Sequence, residues 1–258
     1  MNMVLTVNQR IGVWAIALIG LTAFTALALH GSIPQSQSYH DFADKRALWG
    51  IPNFLDVISN AAFVLVGLSG LYASSVNKTI TMVAGNRISY TVFFAAVALV
   101  GLGSGYYHLS PSNASLVWDR LPMSIAIMAL VAVVIGEFMS ARLGAMLLLP
   151  LVSIGVLSVV YWHFTETAGQ GDLRPYILVQ FLPMIVIPVI LVSFRAAHKK
   201  ASGYWLLLSA YVLAKLCEFL DREIFGVLVV VSGHTLKHLA AAAGIYILLS
   251  SFGRLPKA

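Results

Sequence analysis

The chemistry available to this chain is concentrated in three histidines, one serine and one aspartate. Residues Gly233-His234-Thr235-Leu236-Lys237-His238 carry two histidines four apart. On a helix they stack one turn above the other on a single face. Both imidazoles then point at one centre, a spacing that zinc sites built on helices use. In Gly103-Ser104-Gly105-Tyr106-Tyr107-His108, Ser104 precedes His108 by one turn on the same face. Asp119 follows eleven residues after that histidine. His108, His234 and His238 together make a tripod with a fourth position open to water, as in catalytic rather than structural zinc. Zinc lowers the pKa of its water to about 7 and polarises a carbonyl. Asp119 is placed to take a proton from that water and return it to a leaving amine. Ser104 is placed to hydrogen-bond the water or the developing oxyanion. The reaction class is hydrolysis of an amide or ester whose apolar part lies among helices.

Plainer roles compete for each residue. A single intramembrane histidine commonly pairs with a neighbouring helix, and a serine between glycines commonly serves close packing. Asp119 beside Arg120 fits a surface ion pair. His163 is a further ligand candidate without a partner at helical spacing, and His30, His40 and His198 read as solvated.

The elements that position these residues are apolar. Of 258 residues, 59% are hydrophobic and 10% charged, against about 25% charged in a soluble domain. With a mean hydropathy of +0.88, this is an integral membrane protein. Its net charge of +6 then reflects basic loops rather than nucleic-acid binding. Cys217 is the only cysteine, so no intrachain disulfide exists. Runs long enough to span hydrocarbon fall near 11–29, 54–74, 89–109, 120–138, 143–162, 176–194, 203–220 and 227–250, giving eight helices. Ala26-Leu27-Ala28 resembles a signal-peptidase site, but the long apolar run before it reads as a retained anchor. Pro150, Pro183 and Pro188 fall inside helices.

Orientation follows from the basic residues. The side holding Met1 carries Arg10, Lys78, Arg87, Arg142, Arg195, Lys199, Lys200, Arg254 and Lys257. The other side carries Lys45, Arg46, Arg120, Arg174 and Arg222. The excess predicts that both termini are cytoplasmic, and the short loops fit a bacterial inner membrane. His108, Asp119, His234 and His238 then all converge on the opposite, periplasmic or lumenal face.

The set Ser-x-x-x-His, then Asp119 in Trp118-Asp119-Arg120-Leu121-Pro122-Met123, then His-x-x-x-His opening the last helix, resembles the alkaline ceramidases. These belong to a superfamily of seven-helix membrane hydrolases that includes the adiponectin-type receptors. Asn53-Phe54-Leu55-Asp56-Val57-Ile58-Ser59-Asn60 is similar to the start of that family's first core helix. The resemblance spans residues 39–250. It implies an all-α membrane protein, a seven-transmembrane-helix bundle of alkaline ceramidase type with one extra N-terminal transmembrane helix, eight in total. Residues 1–38 would be the extra helix and linker, and 39–258 the core. The resemblance also implies zinc on His108, His234 and His238, assistance from Ser104 and Asp119, and cleavage of ceramide to a sphingoid base and a fatty acid. Its partners would be a lipid amide and membrane lipids.

Animal members carry an acidic calcium loop before the first core helix. Asp41 and Asp44 match part of it, while Arg46 and Asn53 stand where an oxygen donor and a carboxylate are expected. Lys237, close to the histidine pair, needs an acid such as Glu218 or Asp221 to neutralise it. The alternative from another class is a membrane receptor or transporter of the same superfamily with a structural zinc, for which Asp119 and Ser104 are superfluous. A b-type haem protein would use opposed histidines rather than a stacked pair. A rhomboid-type protease would need glycine at position 102, where Leu102 stands.

Overall fold

The computed structural model describes residues 5–76, 80–195 and 201–253. Lys78, His198, Lys199, Lys200, Arg254 and Lys257 lie outside the described residues. Among those described, the chain is an all-helical membrane protein. Helix α1 spans Val7–Leu29, and the short α2, Phe54–Ile58, runs almost directly into α3, Ala61–Leu71, which ends in a π-helical turn. Then follow α4 (Arg87–Leu109), α5 (Asn113–Phe138), α6 (Ala141–Thr167), α7 (Arg174–Ser193), α8 (Ser202–Phe219), α9 (Asp221–Leu228) and α10 (Gly233–Ser251).

Helix starts follow from side-chain caps, because the first backbone N–H groups have no intrahelical acceptor. Thr6 and Gln9 close a reciprocal cap on α1. Ser112 and Ser115 do so on α5, and Ser232 accepts from the Thr235 N–H at the start of α10. Helix α5 is the axis of the bundle: it is buried from Met128 to Phe138 and packs on α4, α6 and α7. Helices α3, α4 and α10 complete the core, with α8 laid along α10. Helix α1 is apolar all round and touches chiefly α7, which leaves most of its surface for lipid.

Among the described residues, six helices are long and apolar enough to cross a membrane, and α8 with α9 makes a seventh span if that pair, bent by 77°, is counted as one. The expected count of eight is therefore not reached by length and composition. The difference lies at the C-terminal end, where the expected span 227–250 resolves into a separate α9 and an α10 beginning at Gly233. Val229, at φ 61°, sits in the break between them. Helix α10 contains His234, Lys237 and His238, which depress its hydropathy. Helix α5 also begins at Asn113, so Asp119 stands nearly two turns inside it rather than at its opening.

Two glycines set the spacing around the polar residues. A Cβ on Gly103 would lie 1.9 Å from the Trp118 carbonyl oxygen, so α4 and α5 touch backbone to backbone beside Ser104 and Asp119. A Cβ on Gly233 would lie 2.2 Å from the Cys217 carbonyl oxygen, so the start of α10 rests on the end of α8. Gly105, in contrast, faces nothing nearer than the Val57 carbonyl oxygen at 3.9 Å. Gly103→Val should therefore lower stability by about 1–3 kcal/mol through overpacking, while Gly105→Ala leaves it unchanged; thermal unfolding in detergent measures both.

Candidate functional site

Three histidines from two distant segments meet in the dry interior. His108 comes from the last turn of α4, and His234 and His238 from the first turns of α10. All three are buried. Ring centroids are 4.8 Å apart for His108 and His234, 5.0 Å for His108 and His238, and 4.8 Å for His234 and His238. One ring nitrogen from each lies within 4.8 Å of the others, so the group can hold a metal ion.

The surroundings orient these rings. The Ser59 hydroxyl donates its single proton to the Asp56 carbonyl at 3.1 Å, so it accepts from His238 Nδ1–H at 2.8 Å. That fixes the tautomer and leaves His238 Nε2 with a free lone pair, the usual second layer behind a ligating histidine. His108 Nδ1 is buried with no hydrogen-bond partner. A buried ring nitrogen without a partner is costly, and a cation held by that nitrogen would remove the cost. The donor set of three imidazoles fits zinc.

A set of hydroxyls and carboxylates holds α10 in place. Asp56 is fully buried and accepts from Thr235 Oγ1 at 2.6 Å and Ser232 Oγ at 3.2 Å. Asp221 accepts from the His234 N–H at 2.7 Å and the Ala43 N–H at 2.9 Å, tying both α10 and the loop at 41–46 to α9. Phe42 from that loop packs on His108 and His234, with centroids 4.6 and 4.5 Å away, and covers the outer side of the tripod. Asn53, in a left-handed conformation, donates to the His108 carbonyl at 2.8 Å.

Ser104 and Asp119 are both buried and face the same cavity as His238. They reach it from the packed helices α4 and α5. Arg120 does not pair with Asp119. Its guanidinium donates to Gln35 Oε1 at 2.6 Å and stacks over Trp162, Tyr176 and Tyr39. Lys237 is neutralised by Glu218, at 2.6 Å, and not by Asp221, which is spent on backbone. The cavity has an empty volume of about 1130 Å³, part of it continuous with the surroundings. One end is polar, with Ser104, Asp119, Lys215, Glu218, Lys237 and His238. The remainder is apolar, with residues such as Phe93, Val97, Met123, Leu130, Leu207 and Ile245.

The carboxylates of the acidic loop are taken by cations of the chain itself. Asp44 receives Arg46 Nε and Nη2 on its two oxygens, each at 2.7 Å, and Arg46 also caps the Val230 carbonyl at 2.6 Å. Asp41 is shared by Lys45 and Arg222. Lys45, with Arg222, holds the Asp41 carboxyl below the usual carboxylate range. The cations of this loop are built into the chain, and the Asn53 amide is turned to His108. Both carboxylates expected to serve calcium, Asp41 and Asp44, are thus paired with the chain's own cations.

Three residues take roles that their sequence positions did not announce. His40 is not solvated: it bonds the Tyr107 hydroxyl and Asn113 Oδ1, each at 2.8 Å. Asp56 and Ser59 stand behind the tripod, and the only signal for them was their place in the Asn53–Asn60 stretch. His163 packs on its neighbour Phe164 on α6, apart from the tripod. His30 is exposed.

A model of the ceramidase family matches residues 47–255, and the chain belongs to that family. Membership implies hydrolase activity. No curated protein matches the chain. Helix α1 precedes the matched segment.

For the loop, Arg46→Ala should lower the melting temperature, because it strips the buried Asp44 of its cation. Neither calcium nor EGTA should move the melting temperature of the unaltered protein; a calcium-dependent rise would reinstate the loop as a metal site.

Proposed function

We propose that this chain is a zinc-dependent intramembrane hydrolase that cleaves the amide bond of ceramide or a related lipid amide to a sphingoid base and a fatty acid. The observation that carries the reading is the buried tripod of His108, His234 and His238, one member of which, His238, lines an apolar cavity together with Asp119 and Ser104. A receptor with a structural metal has no need of a buried acid and hydroxyl at that position.

When bound, zinc supplies Lewis acidity toward a carbonyl oxygen and toward water. The apolar lining takes the acyl chain and brings the amide to the polar end. Closure by Phe42 keeps bulk water from the reacting groups. Asp119 takes the proton of the attacking water as the carbon–oxygen bond forms. It returns that proton to the amine nitrogen as the carbon–nitrogen bond breaks, so acid and amine leave with atoms balanced. Ser104 donates its one proton to the attacking oxygen or to the oxyanion. The excess of basic residues on the side of Met1 supports cytoplasmic termini and a site toward the periplasm or lumen.

Elemental analysis should find about one zinc per chain, as a tripod of three histidine ligands requires, and His234→Ala should lose it. Undiminished zinc in that variant removes His234 from the ligand set. Asp119→Asn should retain the metal and lose hydrolysis of lipid amides by about 10²–10⁴-fold, the usual worth of a positioned proton-transfer group. Normal turnover there removes Asp119 from the mechanism.

A further inference from the structure

Two carboxylates near the first turns of α10, Asp56 and Asp221, have no cation partner among the described residues, and one of them is fully buried. The other acids of this region are matched. Glu218 receives Lys215 and Lys237, and Asp119 acts electrostatically on Lys237 as well. Arg46 pairs with Asp44, and Lys45 and Arg222 share Asp41 at the surface. Asp221 is half-buried and spends both oxygens on backbone N–H groups. Asp56 is left, with no exposed surface. Its Oδ1 takes the Thr235 and Ser232 hydroxyls, and its Oδ2 has no hydrogen-bond partner. The charged groups that act on it most are two further acids, Asp221 and Asp44.

Hydrogen bonding does not account for that charge. The two hydroxyls need an acceptor, which a neutral amide oxygen supplies equally. Asp56 is joined to the tripod by two routes. Its carbonyl accepts from Ser59, which accepts in turn from His238 Nδ1. Its carboxylate holds Thr235, the residue after His234 and three before His238. One turn on, Asn60 donates to the same Asp56 carbonyl, and its own Oδ1 has no donor. The wall behind the imidazoles thus presents acceptors that no donor meets. A carboxylate buried without a cation is costly. So is a divalent ion on three neutral imidazoles in a dry interior, because such ligands cancel none of its charge. Each offsets the other.

We propose that Asp56 is a positioning residue for the metal: its carboxylate, one layer behind the imidazoles, is the counter-charge that retains a divalent cation on His108, His234 and His238. The assignment rests on the metal reading of the tripod above. It separates from a scaffold role by its sign. A scaffold residue stabilises the protein with or without metal, whereas a counter-charge burdens the metal-free protein and benefits only the loaded one.

Asp56→Asn isolates the charge, since the amide keeps one oxygen for Thr235 and Ser232 and sets its N–H groups one turn from the unpaired Asn60 oxygen. Full-length protein in detergent is stripped with EDTA, and zinc is returned in competition with a chromogenic chelator. The variant should bind zinc about 10–100-fold more weakly, the usual worth of a group behind a ligand. Metal-free, it should melt no lower than the unaltered protein, and zinc should raise its melting temperature less. Thr235→Val, which takes a hydroxyl from Asp56 and leaves the charge, should cost less zinc affinity than Asp56→Asn. Undiminished zinc affinity in Asp56→Asn overturns the assignment while the tripod stands. A metal-free Asp56→Asn that melts lower or fails to fold, or an equal loss in Thr235→Val, also overturns it, because the residue is then a scaffold. No zinc uptake by the unaltered protein sinks the tripod reading and the counter-charge with it.

Discussion

A polar atom buried in an apolar bundle is costly unless it finds a partner, and this requirement organises the site. His238 meets it through Ser59, and one oxygen of Asp56 through Ser232 and Thr235. His108 Nδ1 is among the buried atoms left without a partner. Its ring meets two other imidazoles, a group that can hold a metal ion.

Holding that convergence takes more than the two ligand-bearing helices. The contacts run from α2 through Asp56 to the first turn of α10, and from α9 through Asp221 to both α10 and the loop at Ala43. The turn between α9 and α10, with its strained Val229, aims the α10 N-terminus into the bundle. Close approach at Gly103 and Gly233 then sets the depth at which the polar residues meet. Each contact is modest. Together they hold three rings that have no intrinsic reason to face one another.

The outer face is held in the same way, by charges the chain supplies itself. Arg46 and Lys45 clamp the acidic loop, and Arg174 clamps Asp172, whose carboxyl it pulls down to about 2. Arg120 is carried inward instead, onto Gln35 and a cage of three aromatic rings. Through Gln35, and through Arg174 to the His30 carbonyl, the linker after α1 is bound across the mouth of the core. The N-terminal helix is thus joined to the core at its exit as well as along α7.

Composition alone made this a helical membrane protein, since so apolar a chain has no other way to satisfy its backbone. The spacing of His234 and His238, and of Ser104 and His108, was legible because helical periodicity stacks residues four apart whatever else the fold does. Membership of the ceramidase family was legible for the same reason, its motifs being local. Three features were decided only in three dimensions. The orphaned His108 nitrogen depends on what packs against it. The choice of Glu218 over Asp221 as the partner of Lys237 depends on where the break after α8 sends the chain. The pairing of Asp44 with Arg46 depends on a guanidinium folding back onto a carboxylate two residues away. Local pattern specifies which residues share a face; which faces meet, and which polar atoms are left over, is a property of the packed whole.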